Sequence, residues 1–205
     1  MKLTWYGHAC FKLETDCGSV AFDPYAPGSV KGLKLPEITA DAVVCSHRHS
    51  DHYCPEAVTL TGLKPGFAMR SIYTFHDESM GAKRGNNLMT VVTAEDLTVA
   101  HCGDLGHELN AETLRSLGKI DILLIPVGGV YTLDAKAAKR VCEQIKPTVI
   151  IPMHYRCGSV GIQSLAPVDE FLSLFDEAEI NRLSSNTLTV EKPLAPSVTV
   201  FELLE

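Results

Sequence analysis

Three unbroken apolar runs constrain the fold of this chain more than any other feature. They lie at residues 42–45, 122–125 and 149–151. Short runs without polar alternation are typical of strands that are covered on both faces. Between the second and third runs, Asp134 can cap a helix with one apolar face, and Pro147 ends it. Strand, helix and strand at this spacing predict a βαβ unit, and therefore a mixed α/β fold.

Other segments are short stretches in which hydrophobic and polar residues alternate, separated by turn residues. The first 23 residues predict two or three antiparallel strands, and a second helix is predicted over residues 168–176. Further strands are predicted at residues 72–75, 88–92, 97–100, 187–190 and 198–203. With 205 residues and no linker-like stretch, we expect one domain over residues 1–205.

Composition and charge exclude several classes of protein. The chain is 45% hydrophobic and 21% charged, which excludes wholesale disorder. Its longest apolar runs are far shorter than the roughly 20 residues that cross a membrane. The net charge of −7 disfavours binding to nucleic acid. The seven cysteines form no C-x-x-C pair and the first residues lack a secretory pattern, so we expect reduced thiols and a cytoplasmic protein.

A histidine-rich segment, residues 47–52, directly follows the first apolar run and reads His-Arg-His-Ser-Asp-His. In an extended chain His47 and His49 point the same way, so they can present two imidazoles to one ion. Imidazole and carboxylate together suit Zn²⁺, and also Fe or Mn. Further ligands must come from distant residues, and these candidates follow predicted strands: His76, Asp104 and His154.

The chain resembles the metallo-β-lactamase superfamily in several motifs that occur in the family's order. They are Phe22-Asp23-Pro24, the segment 47–52, His76, Gly103-Asp104 and His154. The stretches 6–11 and 103–107 are similar to a compact branch of metal-dependent hydrolases that includes ascorbate-phosphate lactonase-like proteins. The resemblance implies an αββα sandwich, the metallo-β-lactamase fold, with two mixed sheets flanked by helices.

The resemblance also implies a site for two divalent metal ions, with zinc expected first and Mn or Fe as alternatives. The first ion would take His47, His49 and His76; the second would take Asp51, His52 and His154. Asp104 would bridge the two ions, and Asp23 would orient a ligand imidazole without binding metal. His101 competes with His76 for the third position of the first site, and its structural role is favoured.

The implied reaction is hydrolysis by a hydroxide that the two ions activate. The substrate would be a small ester, lactone or phosphodiester, and an anionic one if a basic pocket exists. Asp51 or His107 would carry the proton to the leaving group. The candidates for substrate contact are His8, Arg84, Tyr131, Tyr155 and Arg156. The loop over residues 25–36 is a candidate cover for the site.

Two other classes of function stay open. A diiron redox enzyme of the same fold would consume oxygen, although such proteins usually replace histidines of the motif with acidic residues. A metal-bound module without catalytic activity would bind a ligand in the cleft without turnover.

Overall fold

A computed structural model describes residues 1–203 of the protein. The strands form a five-stranded sheet, a seven-stranded sheet and a separate pair. In chain order the strands are β1 Lys2–Trp5, β2 Phe11–Thr15, β3 Gly18–Phe22, β4 Ile38–Ala40, β5 Ala42–Val44, β6 Val58–Leu60, β7 Ala68–Phe75, β8 Asn86–Ala94, β9 Leu97–His101, β10 Ile122–Pro126, β11 Val149–Met153, β12 Ile180–Arg182, β13 Thr187–Thr189 and β14 Ser197–Val200. The helices are α1 Ala111–Leu117, α2 Ala135–Ile145 and α3 Asp169–Leu172, and 3-10 turns lie at Pro55–Ala57 and Glu177–Glu179.

The five-stranded sheet has the order β13-β1-β2-β3-β5. Strands β1, β2 and β3 are antiparallel, as the alternating hydrophobic pattern of the first 23 residues predicts. Strand β5 is parallel to β3 and forms an edge, so its three residues are only half-buried. The prediction that residues 42–45 are covered on both faces is therefore wrong, although the strand itself is present.

The seven-stranded sheet has the order β12-β14-β11-β10-β9-β8-β7. Its centre is the predicted βαβ unit: β10 and β11 are parallel neighbours, and α2 connects them. The Asp134 side chain accepts a hydrogen bond from the Ala137 amide at 2.8 Å, which caps α2 as predicted. The helix ends at Ile145 with Lys146 in the left-handed region, one residue before Pro147.

The other two helices depart from the predictions. Helix α1 has no counterpart among them; the Asn110 side chain caps it by accepting from the Thr113 amide, and Gly118 follows its end. Helix α3 covers only one turn of the predicted 168–176 segment. Both are too short to show a clear 3.6-residue period, so their apolar positions do not separate them from loops.

A continuous hydrophobic core joins the two large sheets. Leu3, Phe11 and Phe22 from the five-stranded sheet are fully buried with Val91 and Ile122 from the seven-stranded sheet. Helix α2 packs against β10 and α1 against β7. The predicted αββα sandwich is confirmed, and its two sheets meet where the polar loops gather.

All seven cysteines are free thiols, as predicted, and four of them are buried. Across residues 1–203, the structure contains no helix with the length and apolar character that a membrane span requires.

Candidate metal centre

Loops from both large sheets converge on one cluster of imidazoles and carboxylates. The five-stranded sheet supplies the β1–β2 turn and the segment after β5, and the seven-stranded sheet supplies the ends of β7, β9 and β11. The cluster contains all seven predicted metal ligands and one more histidine: His8, His47, His49, Asp51, His52, His76, Asp104 and His154.

The first group of donors consists of His47, His49 and His76, whose ligand atoms lie within 4.8 Å of one another. His47 Nε2 is 3.0 Å from His49 Nδ1, and the ring centroids of His47 and His76 are 4.7 Å apart. These three side chains are the ones that the family resemblance assigns to the first ion.

The second group consists of Asp51, His52 and His154 together with His8. Asp51 Oδ2 lies 3.6 Å from His52 Nε2 and 4.0 Å from His154 Nε2. It lies 3.2 Å from His8 Nε2. The structure thus brings together the predicted ligands of the second ion and adds a fourth side chain to them.

Asp104 lies between the two groups. Its Oδ2 is 3.0 Å from His76 Nε2 on one side and 3.3 Å from His154 Nε2 on the other. Its Oδ1 is 3.1 Å from His52 Nε2. One carboxylate therefore faces donors of both groups, which is the position that a bridging ligand needs.

Neighbouring groups determine which imidazole nitrogens face the cluster. His52 Nδ1 donates to Asp23 Oδ2 at 2.8 Å, and His76 Nδ1 donates to the Tyr131 carbonyl at 3.2 Å. Asp23 also accepts hydrogen bonds from the Ser46 amide and hydroxyl, both at 2.6 Å. Because the Nδ1 atoms carry the protons, Nε2 of His52 and Nε2 of His76 are free to act as ligands.

Buried polar atoms without partners test whether a cation fits the cluster. Within the described residues, five such atoms have no hydrogen-bond partner: His8 Nδ1, both His154 nitrogens, His52 Nε2 and Asp104 Oδ1. Unpartnered buried groups cost about 1–3 kcal/mol each. Coordination of cations would satisfy His52 Nε2, Asp104 Oδ1 and one nitrogen of His154.

The electrostatics of the cluster also favour a cation. Burial would raise the pKa of Asp104, but His154 and His52 hold it well below its usual value, so Asp104 is ionised. Burial lowers the pKa of His47 to about 4 and that of His8 to about 3. Near neutral pH these two imidazoles are therefore unprotonated, which is the form that binds metal.

Two glycines allow the loops to pack this closely. A Cβ added at Gly128 would lie 2.2 Å from the His154 carbonyl oxygen. A Cβ added at Gly106 would lie 2.4 Å from the carbonyl carbon of His76. Contacts under 3.0 Å are not tolerated, so only glycine permits the backbones that carry His154 and His76 to approach.

A cavity of about 350 Å³ opens directly onto the cluster. Asp51, Asp104 and three of the histidines line its floor, and Arg84, Tyr131 and Ile162 line its wall. The Arg84 guanidinium lies 5.6 Å from the centroid of the Tyr131 ring and donates to the Val130 carbonyl. Arg84 and Tyr131, two of the predicted substrate contacts, therefore border the cavity, and Ile162 was not predicted.

Three predicted site residues lie elsewhere. His107 accepts from the Phe75 amide through Nε2 and donates from Nδ1 to the Glu108 carbonyl, and it does not line the cavity; nothing in this arrangement supports the proton-transfer role predicted for it. Tyr155 is buried against Trp5 in the core, with ring centroids 5.6 Å apart. Arg156 donates to the Leu165 and Gly158 carbonyls within its own loop. Neither Tyr155 nor Arg156 lines the cavity.

Two other predicted features also differ in the structure. The loop over residues 25–36 does not line the cavity; it packs beside the segment 47–52 and near Val160 instead. His101 uses Nε2 to donate to the Ala9 carbonyl and Nδ1 to accept from the Gly103 amide. Both of its nitrogens are occupied, so His101 is structural and His76 takes its place in the cluster.

Sequence reasoning missed Asn87, which positions Asp104. Its side-chain oxygen accepts from the Asp104 amide at 2.9 Å, and its side-chain nitrogen donates to Thr74 and to the Cys102 carbonyl. Asn87 is fully buried at the start of β8. Its only sequence signal is its place directly before the predicted strand over residues 88–92, which does not reveal this role.

Comparison with known proteins places this geometry in context. The profile described as the beta-lactamase superfamily domain matches residues 2–154. A protein of Methanopyrus kandleri named a metal-dependent hydrolase is 28% identical over 193 residues, which cover 76% of this chain and 84% of the relative. One of Carboxydothermus hydrogenoformans with the same name is 29% identical over 196 residues, which cover 78% of this chain and 87% of that one.

A solved structure from Thermotoga maritima is similar over almost the whole chain. It is described as a candidate Zn-dependent hydrolase of the metallo-β-lactamase superfamily. The two chains are 38% identical, the match covers 99% of each, and the TM-score is 0.79.

Proposed function

This chain belongs to the β-lactamase superfamily as a metal-dependent hydrolase, and we propose that it uses two divalent cations to hydrolyse a small ester, lactone or phosphodiester. The observation that carries the proposal is Asp104, a buried, ionised carboxylate between two groups of imidazoles. The organisation of residues 1–205 as one domain and the cytoplasmic location stay predictions.

In this proposal each donor group would hold one cation. His47, His49 and His76 would hold the first, Asp51, His52 and His154 would hold the second, and Asp104 would be shared by both. The nitrogen-rich donors favour zinc over the harder cations, and Mn or Fe are the alternatives. When bound, the cations would supply Lewis-acid stabilisation and an activated water near neutral pH.

The remaining cavity residues would bind and orient the substrate. The cavity volume of about 350 Å³ suits a small molecule. The Arg84 guanidinium on the cavity wall can bind a carboxylate or phosphate group, and the Tyr131 hydroxyl can donate a hydrogen bond. The net charge of −7 argues against a nucleic-acid substrate.

Proton transfer to the leaving group falls to Asp51 in this proposal. Its carboxylate borders the cavity, and it is only partly buried, whereas Asp104 is almost completely enclosed. Asp51 can therefore contact both the substrate and solvent, as a proton-transfer group must.

The test measures the metal content by mass spectrometry on protein purified without added metal, followed by a screen of esters, lactones and phosphodiesters. We expect two ions per chain and turnover of one substrate class. Asp104→Asn should lose at least one ion, with a fall in activity of at least about 100-fold, because it removes the charge shared by both groups.

Asp121→Asn is the matched control, because Asp121 is a buried carboxylate that accepts from the Thr98 amide far from the cluster. It should keep both ions and full activity. Two retained ions and full activity in Asp104→Asn would contradict the bridging role. Iron in both positions with oxygen consumption would indicate a redox enzyme, and ligand binding without turnover of any class would indicate a binding module.

A further inference from the structure

We propose that His8 is a further protein ligand of the second cation, in addition to Asp51, His52, His154 and the shared Asp104. This inference rests on the proposed function, since it requires that the second donor group holds a cation. It makes the two positions unequal, because the first group offers three imidazoles and the second offers three imidazoles and a carboxylate.

The position of the His8 side chain supports the proposal. His8 is 3% exposed, and its Nε2 lies 3.2 Å from Asp51 Oδ2. Two adjacent ligands on one zinc ion with bonds of about 2.0–2.1 Å lie about 3 Å apart, so this separation fits a shared ion. The His8 ring centroid is 4.0 Å from that of His154 and 5.2 Å from that of His52.

The backbone at His8 is held in a conformation that few residues adopt. Its φ is +53° although it is not glycine, and such strain persists where the surroundings hold the residue in place. Its carbonyl accepts from Trp5 Nε1 at 3.1 Å and from the His154 amide at 3.2 Å. The turn that carries His8 is therefore attached directly to the backbone of a proposed ligand, His154.

A simpler explanation is that His8 Nε2 carries a proton and donates it to Asp51, which would make His8 a positioning residue. The two explanations differ in the protonation of one nitrogen. As a ligand, His8 has no proton on Nε2 in the metal-loaded protein. As a donor to Asp51, it has one.

The first experiment compares zinc binding to wild type, His8→Asn and His107→Gln by competition with a chromophoric chelator. Asparagine tolerates a positive φ, so His8→Asn keeps the turn while its side chain is too short to reach the cation. We expect His8→Asn to keep one ion with wild-type affinity and to bind the other more than about 100-fold more weakly, beyond the roughly 10–100-fold typical of residues that only orient a ligand. His107→Gln should bind both ions like wild type.

The second experiment records proton–nitrogen NMR spectra of the histidine rings in zinc-loaded wild type, with the His8 signals assigned by their loss in His8→Asn. A bare Nε2 on His8 supports the proposal. A proton on Nε2, or two ions bound at wild-type affinity by His8→Asn, would overturn it while leaving the proposed function intact. Wild type that binds no zinc at all would overturn the proposed function itself.

Discussion

The direction in which each imidazole presents its nitrogens decides what the cluster can bind. Asp23 accepts from His52, and the Tyr131 carbonyl accepts from His76, so in both rings Nε2 faces Asp104. At His101 the same kind of hydrogen bonding occupies both nitrogens and removes the ring from the set of ligands. A histidine's role in this protein therefore depends on its partners more than on its place in a motif.

The hydrogen bond from His52 to Asp23 leads to a prediction for zinc affinity. Asp23→Asn should keep the backbone, since asparagine also tolerates the φ of +45° at this position. It removes the carboxylate charge that keeps the His52 proton on Nδ1 and leaves Nε2 as the ligand atom. We therefore expect zinc affinity to fall about 10–100-fold. Chelator competition measures this, and Asp41→Asn is the control, because Asp41 accepts hydrogen bonds from Ser19 far from the cluster. Equal affinity in the two variants would contradict the role of Asp23.

Arg84 and Arg156 are both predicted substrate contacts, but their substitution should affect anion binding differently. Arg84→Ala should weaken inhibition by inorganic phosphate roughly 10-fold, because it removes the cavity's guanidinium. Arg156→Ala should leave inhibition unchanged, since Arg156 is engaged with its own loop. Inhibition constants for wild type and both variants decide the matter, and equal constants in all three proteins would remove the anion-binding role of Arg84.

At the level of loops and strands, close backbone packing holds the ligands at the ends of their strands. Gly128 follows β10 and lies against the carbonyl of His154, which follows β11. Gly106 lies against His76 in the same way. Loops that follow different strands thus approach one another closely at both positions because one of the two lacks a side chain.

A substitution that adds one methyl group tests this packing. Gly128→Ala should displace His154, lowering the affinity for the second ion about 10–100-fold and reducing stability by a few kcal/mol. Gly62→Ala is the control: its added Cβ meets nothing within 4 Å, although its φ is +82°. It should cost about 1 kcal/mol through backbone strain and leave metal binding unchanged. Metal content and thermal unfolding together give the result, and unaltered metal binding by Gly128→Ala would contradict the packing argument.

Across the whole molecule, the two large sheets contribute different halves of the site. The five-stranded sheet carries His8 and the segment 47–52, and the seven-stranded sheet carries His76, Asp104 and His154. Cations bound between these halves would connect the sheets at their shared edge. Within the described residues, both sheets contribute buried polar atoms without a hydrogen-bond partner to this edge.

Metal removal should therefore lower the stability of the entire chain. A cation that binds only the folded state at 100 times its dissociation constant adds about 2.7 kcal/mol per site. For a chain of this size that corresponds to a rise in Tm of about 5–10 °C per site. Differential scanning calorimetry with zinc and with a chelator measures the shift, and Asp104→Asn should show a much smaller one. A wild-type Tm that zinc does not change would contradict this role of the cations.

The sequence by itself determined the local features of this protein: the βαβ unit, the Asp134 cap, and the donors of the segment 47–52, because neighbours in the chain decide them. The tertiary structure alone decided which distant residues meet. His8 joins the second donor group because the β1–β2 turn packs on His154, and His107 is excluded because the Phe75 amide binds its ring. Such outcomes depend on how the two sheets pack face to face, and no spacing along the chain encodes that distance.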